Sequence, residues 1–97
     1  MRIHRPRLLK EFWTVYPDAE RSLRAWVQEV KNASWDTPAE LKTQYRNASI
    51  LKGGRAVFNI CGNKYRVIVL INYNAQIVVV RWIGTHSEYD RISAEDV

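Results

Sequence analysis

The stretch RAVFNICGNKYRVIVLINYNAQIVVVRWI, residues 55–83, decides the fold. Its apolar residues recur with a period of two and are rich in Val, Ile, Tyr and Phe, the pattern of half-buried strands. Gly62-Asn63 is a good two-residue hairpin turn, and Asn72 to Ala75 supplies a second turn. Arg55–Cys61, Lys64–Tyr73 and Gln76–Ile83 therefore read as three strands of an antiparallel meander, which the stretch around Ile50 can extend.

The turn positions sort the side chains. With Gly62-Asn63 at the tip, Cys61 faces Lys64 and Asn59 faces Arg66 across the ladder. A second turn of even length puts Arg81 on that face, and alternation adds Arg55. One face then presents Arg55, Asn59, Lys64, Arg66 and Arg81. The other presents Phe58, Ile60, Val67, Val69, Ile71, Val78, Val80 and Trp82 as core. A one-residue bulge would scramble this assignment. The basic face also carries Val57, Ile68, Leu70, Val79 and Ile83, which need cover, and the segment Thr85–Ile92 is the nearest candidate.

Outward from this sheet the period changes. Leu8, Leu9, Phe12, Trp13 and Tyr16 recur at helical spacing behind Pro6, and Leu23, Trp26, Val27 and Val30 do so behind Asp18. Pro17-Asp18 stops the first helix, and Asp18 is placed to cap the second. The pair forms a helical hairpin that packs on the apolar face, with Arg21, Arg24 and Lys31 on its solvated side. Thr37-Pro38-Ala39-Glu40 has the form of a capping box and starts a short helix through about Tyr45. Met1–His4 can add a short edge strand. The fold class is α+β.

Composition limits the function. At 97 residues the chain is one small domain with room for a single core and none for a cofactor domain. Fifteen Lys and Arg against ten Asp and Glu give a net charge of +5, which favours acidic partners, nucleic acid above all. Cys61 stands alone, so no internal disulfide forms, and with only His4 and His86 beside it a structural zinc site is excluded. A reducing, cytoplasmic setting fits. The apolar runs Val67–Ile71 and Ile77–Val80 are far too short to span a bilayer.

The charges are unevenly placed. Residues 53–87 contain Arg55, Lys64, Arg66 and Arg81 and no Asp or Glu, whereas Glu88 to Val97 holds four acids against Arg91 alone. Directly after the strands comes Thr85-His86-Ser87-Glu88-Tyr89-Asp90, where Thr85 and Glu88 have capping-box spacing. His86 then sits in the first turn of a short helix, and Tyr89 follows it by three on the same side.

This set of residues suits RNA cleavage without a metal. The ribose 2′-OH attacks the adjacent phosphate, so the catalyst must move two protons and stabilise charge on phosphorus. An imidazole titrates close to neutrality, which makes His86 the candidate acid or base. Tyr89 can position the phosphate or share the proton transfer. Lys64, Arg66 and Arg81 can hold the phosphate, with Arg55 and Asn59 as further RNA contacts. A two-metal nuclease is disfavoured, because the basic face offers no carboxylate cluster. A serine or cysteine hydrolase is disfavoured for want of a nucleophile elbow or a base beside Cys61.

The runs Val57-Phe58-Asn59-Ile60-Cys61-Gly62-Asn63-Lys64-Tyr65-Arg66-Val67 and Val80-Arg81-Trp82-Ile83-Gly84-Thr85-His86-Ser87-Glu88-Tyr89-Asp90 resemble the HigB branch of the RelE-like bacterial toxins. The likeness extends over nearly the whole chain and is strongest from Val57 to Asp90. It implies a single RelE-like domain over residues 1–97, with an N-terminal helical hairpin packed on one face of a small antiparallel sheet and a short C-terminal helix. It implies the toxin of a type II toxin–antitoxin pair, a cofactor-free endoribonuclease in the bacterial cytoplasm that cuts mRNA, commonly in the 30S A site of the ribosome. The implied partner is a HigA-like helix-turn-helix antitoxin, which also links the toxin indirectly to operator DNA. Asn59, Lys64, Arg66, Arg81, His86 and Tyr89 fall on the family's polar motif positions. Asn59, Gly62 and Asn63 can equally serve turn and strand geometry. The competing readings are a non-catalytic RNA- or ribosome-binding module and a protein–protein adaptor.

Overall fold

In the computed structural model, which describes residues 1–97, the alternating stretch forms three antiparallel strands, and two short ones flank them. In chain order the elements are β1 (Arg2–His4), α1 (Arg7–Val15), α2 (Glu20–Asn32), α3 (Pro38–Gln44), β2 (Ser49–Ile50), β3 (Arg55–Ile60), β4 (Tyr65–Asn72), β5 (Ile77–Thr85) and α4 (His86–Tyr89). The sheet order is β1-β5-β4-β3-β2. The expected antiparallel sheet is in fact mixed, because β1 runs parallel to β5 and pairs Ile3 with Val78. A strand that is followed directly by a helical hairpin crosses over the sheet and returns elsewhere, so antiparallel pairing with a chain neighbour is not imposed on it.

The β3–β4 register is the one the turn residues specify. Asn59 pairs with Arg66 and Ile60 with Tyr65, and Lys64 N–H donates to Cys61 at 3.3 Å. Gly62 adopts φ +70°, a conformation that costs glycine little. Cys61 also holds a positive φ of +57°.

The β4–β5 register departs from simple alternation. Ile68 pairs with Trp82 but Val69 pairs with Val80, so Arg81 is the extra residue of a β-bulge. Beyond the bulge the two faces exchange. Trp82, expected in the core, lies on the outer face opposite Ile68. Ile83, expected outside, packs against the core. Arg81 is exposed and has no partner across the ladder, so its expected place in the outer row is corrected as well.

The helices follow their caps. Thr37 Oγ1 accepts from Glu40 N–H at 3.3 Å and starts α3 behind Pro38. At α4 the capping box is complete, with Glu88 N–H to Thr85 Oγ1 at 3.1 Å and Thr85 N–H to Glu88 Oε1 at 2.8 Å. Pro6 occupies the cap position of α1. Asp18 does not cap α2, whose cap residue is Ala19 and which has no side-chain cap. The end of α2 is held by the Met1 amino group, which donates to the carbonyls of Val30, Lys31 and Ala33.

The core lies between the helices and the inner face of the sheet. Leu9, Leu23, Trp26, Val30, Leu41, Phe58, Val67, Val69, Val78 and Val80 are all buried there. Phe58 is its aromatic centre, with ring centroids of Tyr45, Trp26 and Trp35 at 5.0, 5.2 and 6.3 Å. Val57 and Ile68 are also buried but lie outside this cluster, on the outer face. There the chain returns over the sheet, and Arg55 Nε and Nη2 donate to the Val97 carbonyl at 3.1 and 3.0 Å.

Removing the central ring should be the most damaging core change. Phe58→Ala is expected to lower stability by about 3–5 kcal/mol, read as a shift of the urea midpoint. A loss under about 1 kcal/mol would mean that the rings around it do not form one packed unit.

Candidate functional site

The functional candidates gather where β4 begins and β5 ends. Asn59, Arg66 and Gly84 form one row across β3, β4 and β5 on the outer face. The Arg66 guanidinium lies over the Tyr89 ring, 4.6 Å from its centroid. Tyr89 in turn meets Trp82, with 6.2 Å between ring centroids. The indole folds across Gly84, where an added Cβ would come within 2.5 Å of it. Arg66 Nε is enclosed and has no hydrogen-bond partner, so one donor at this point is unused.

His86 is set beside this stack by backbone. Its N–H donates to the Lys64 carbonyl at 3.1 Å, which fixes the start of α4 against β4. The imidazole is about half exposed, and its Nδ1 stands 3.4 Å from Asp90 Oδ2. It lines a shallow open groove with Ser87, Lys64, Tyr65, Asp18 and Val15. Tyr89 turns instead to Arg66, so the two α4 candidates serve neighbouring parts of the surface.

Asp18 is the residue that sequence reasoning missed. It comes from the turn between α1 and α2, and its carboxylate accepts from the Lys64 ammonium and, at 2.6 Å, from the Tyr65 hydroxyl. Lys64 and then Tyr65 hold the Asp18 carboxyl below its usual value. The same contact raises Lys64 and Tyr65 above theirs. The basic face is acid-free along the chain, but folding brings a carboxylate to its edge. A Pro-Asp pair before a helix carries an ordinary capping signal, and nothing local in it points across the fold.

The remaining candidates are spread out. Asn59 Nδ2 donates to the Asn47 carbonyl at 3.3 Å, beside a hollow lined by Arg46 and Asn63. Arg55 pairs with Leu70, further along the outer face, where it binds the Val97 carbonyl. Arg81 projects from the bulge. Lys64, Arg66, His86 and Tyr89 are thus brought together, while Arg55 is not. No three His, Cys, Asp or Glu side chains cluster to hold a metal ion, and no helix is long and apolar enough to cross a membrane.

Known proteins resemble this chain over most of its length. Residues 19–92 match the family described as HigB_toxin, RelE-like toxic component of a toxin-antitoxin system. An mRNA interferase HigB of Escherichia coli O6:H1 (strain CFT073) is 30% identical over 80 residues, covering 80% of this chain and 78% of its own. The mRNA interferase toxin HigB of Escherichia coli strain K12 is 28% identical over 90 residues, covering 91% of this chain and 86% of its own. An mRNA interferase HigB of Shigella flexneri gives the same figures.

The Asp18 contacts have a pH signature. A carboxyl lowered in the folded state stabilises fully above its ordinary value, and that contribution is lost as pH falls through the lowered one. Between about pH 5 and about pH 2 the melting temperature of the native chain should therefore drop more steeply than that of Asp18→Asn. Parallel profiles would show that the carboxylate is not tied to Lys64 and Tyr65 in solution.

Proposed function

The chain belongs to the HigB family of RelE-like toxins of toxin–antitoxin systems, and from that premise we propose that it arrests growth as an endoribonuclease that cuts mRNA on the translating ribosome. The observation that carries the reading is the placement of His86 beside Lys64, and of Tyr89 beside Arg66, at one end of a sheet whose strands β3, β4 and β5 carry no acid.

Each residue has a task in that chemistry. The 2′ oxygen forms a bond to phosphorus while the bond from phosphorus to the 5′ oxygen breaks. The 2′ proton goes to a base, and a proton is supplied to the leaving oxygen. The products are a 2′,3′-cyclic phosphate and a free 5′-OH. His86 exchanges one of these protons, since an imidazole accepts and donates near neutrality. Arg66 binds the phosphate with its planar fork and stabilises the charge that develops there, and Tyr89 beneath holds that fork in place. Lys64 supplies a cation in the groove beside His86, and Arg81 and Asn59 contact the RNA on either side. Arg55 holds the C-terminal segment over the sheet and lies at the far end of the track.

The partner of such a toxin is an antitoxin. We infer a HigA-like one with a helix-turn-helix, through which the pair reaches operator DNA. The bacterial cytoplasm is where the proposed substrate is found.

Brief induction, followed by primer-extension mapping of mRNA ends, tests the proposal with two reporters, one translated and one lacking its start codon. Cuts confined to the translated reporter are expected. His86→Ala should reduce cutting by about 10²–10⁴-fold and Arg66→Ala by about 10²–10³-fold, both with an intact fold. Cuts on both reporters would make it a ribosome-independent ribonuclease. No cuts on either, with expression confirmed and antitoxin absent, would leave a binding module without catalysis.

A further inference from the structure

Of the cations assigned to phosphate, only Lys64 is engaged by a carboxylate. Its partner belongs to a different element, the turn joining α1 to α2, and was brought there by folding. Both side chains remain largely in solvent, with fractional exposures of 60% for Lys64 and 45% for Asp18. An exposed pair of this kind is weak, so a phosphate can displace the carboxylate from the ammonium.

Displacement does not remove the carboxylate. Asp18 is anchored a second time by the Tyr65 hydroxyl, and Tyr65 is buried against Phe12 and Tyr16 at centroid distances of 5.1 and 5.5 Å. A phosphate taking Lys64 therefore meets a fixed negative charge across the same groove. Arg66 faces no such competition, because its guanidinium rests on the Tyr89 ring.

We propose that Asp18 is a specificity-determining residue: its carboxylate withholds Lys64 from free RNA, so that Lys64 engages only a phosphate that other contacts already hold in place. The inference rests on the RNA-cleaving reading above. For loose RNA, gaining Lys64 means losing an ion pair and facing Asp18, with little net return. For RNA already fixed beside Arg66, the Lys64 contact forms at high effective concentration, and the same competition is overcome. The chain then avoids being occupied by bulk RNA.

The test is binding of a single-stranded 2′-O-methyl RNA, which lacks the attacking hydroxyl and stays uncut, over a series of salt concentrations. Each phosphate contact adds about 0.7 to the slope of log K against log salt for a single strand. Asp18→Asn should bind about two- to fivefold tighter than the native chain and show a slope steeper by about 0.7. In a Lys64→Met background the same substitution should change neither quantity. Equal affinity and slope for Asp18→Asn and the native chain would overturn the proposal. So would a gain that persists without Lys64, since Asp18 would then act only as general charge.

If neither the native chain nor Asp18→Asn binds this RNA, the RNA reading itself fails and the inference falls with it, a result distinct from equal binding by both. Should Asp18→Asn not fold, Lys64→Met alone decides. A withheld lysine predicts a loss under about twofold, and a loss as large as that of Arg66→Ala would overturn the proposal.

Discussion

Strand β5 is paired along both edges at its start, with β1 on one side and β4 on the other, and with β4 alone at its end. Its first half must turn Val78 and Val80 into the core. Its second half must end with Thr85 opposite Tyr65, where α4 begins. Strict alternation would bring Trp82 and Gly84 to the inner face. The bulge at Arg81 absorbs one residue and turns Ile83 inward instead. An aliphatic side chain fills the interior beside Val67, and the larger indole goes to the outer face, where it supports Tyr89. Gly84 then stands opposite Arg66, and the absence of a side chain leaves space for the Trp82 ring. One extra residue in a strand thus sets the floor of the whole candidate site.

A second tie runs from the helices to the same place. Tyr65 opens β4, its ring meets Phe12 edge-on and lies tilted against Tyr16 at the end of α1, and its hydroxyl reaches Asp18. The apolar part of this contact fixes the helical hairpin on the sheet. The polar part fixes a charge at the rim of the groove. The exposed ion pair contributes little to stability by itself, so its significance lies in which cation it engages. On the RNA-cleaving reading, a net charge of +5 favours broad adhesion to RNA. On that reading, a carboxylate placed at one of the few cations near His86 makes the adhesion uneven.

What the sequence disclosed follows from how local each cause is. The β3–β4 register was legible because a glycine-containing turn and two alternating strands follow one another directly in the chain, from Arg55 to Asn72. The Thr85–Glu88 box and the Thr37 cap were legible because a cap is a contact over three residues. The hairpin of α1 and α2 was legible from its apolar spacing. The bulge was not. Val79-Val80-Arg81-Trp82-Ile83 satisfies a period of two on either side of the slip, and only the demand of the core for Ile83 over Trp82 decides between them. The parallel pairing of β1 was hidden too, since three residues carry no directional signal. Asp18 read as a cap because its partners, Lys64 and Tyr65, lie more than forty positions away.

The same distinction explains how the candidate residues on α4 are held. Four residues are too few for a helix to persist unaided, because nucleation alone is unfavourable. Its order is borrowed from the sheet through the capping box at Thr85, the His86 N–H to the Lys64 carbonyl, and Tyr89 lodged between Arg66 and Trp82. All of these anchors depend on the β4–β5 register. A slip of one residue along β5 would part His86 from Lys64 and Tyr89 from Arg66 together, so the two α4 candidates and their partners on β4 cannot be assembled separately. The candidate site is therefore a property of the strand pairing. It forms when the bulge forms, and no local feature of residues 86–89 would hold it in a chain that paired otherwise.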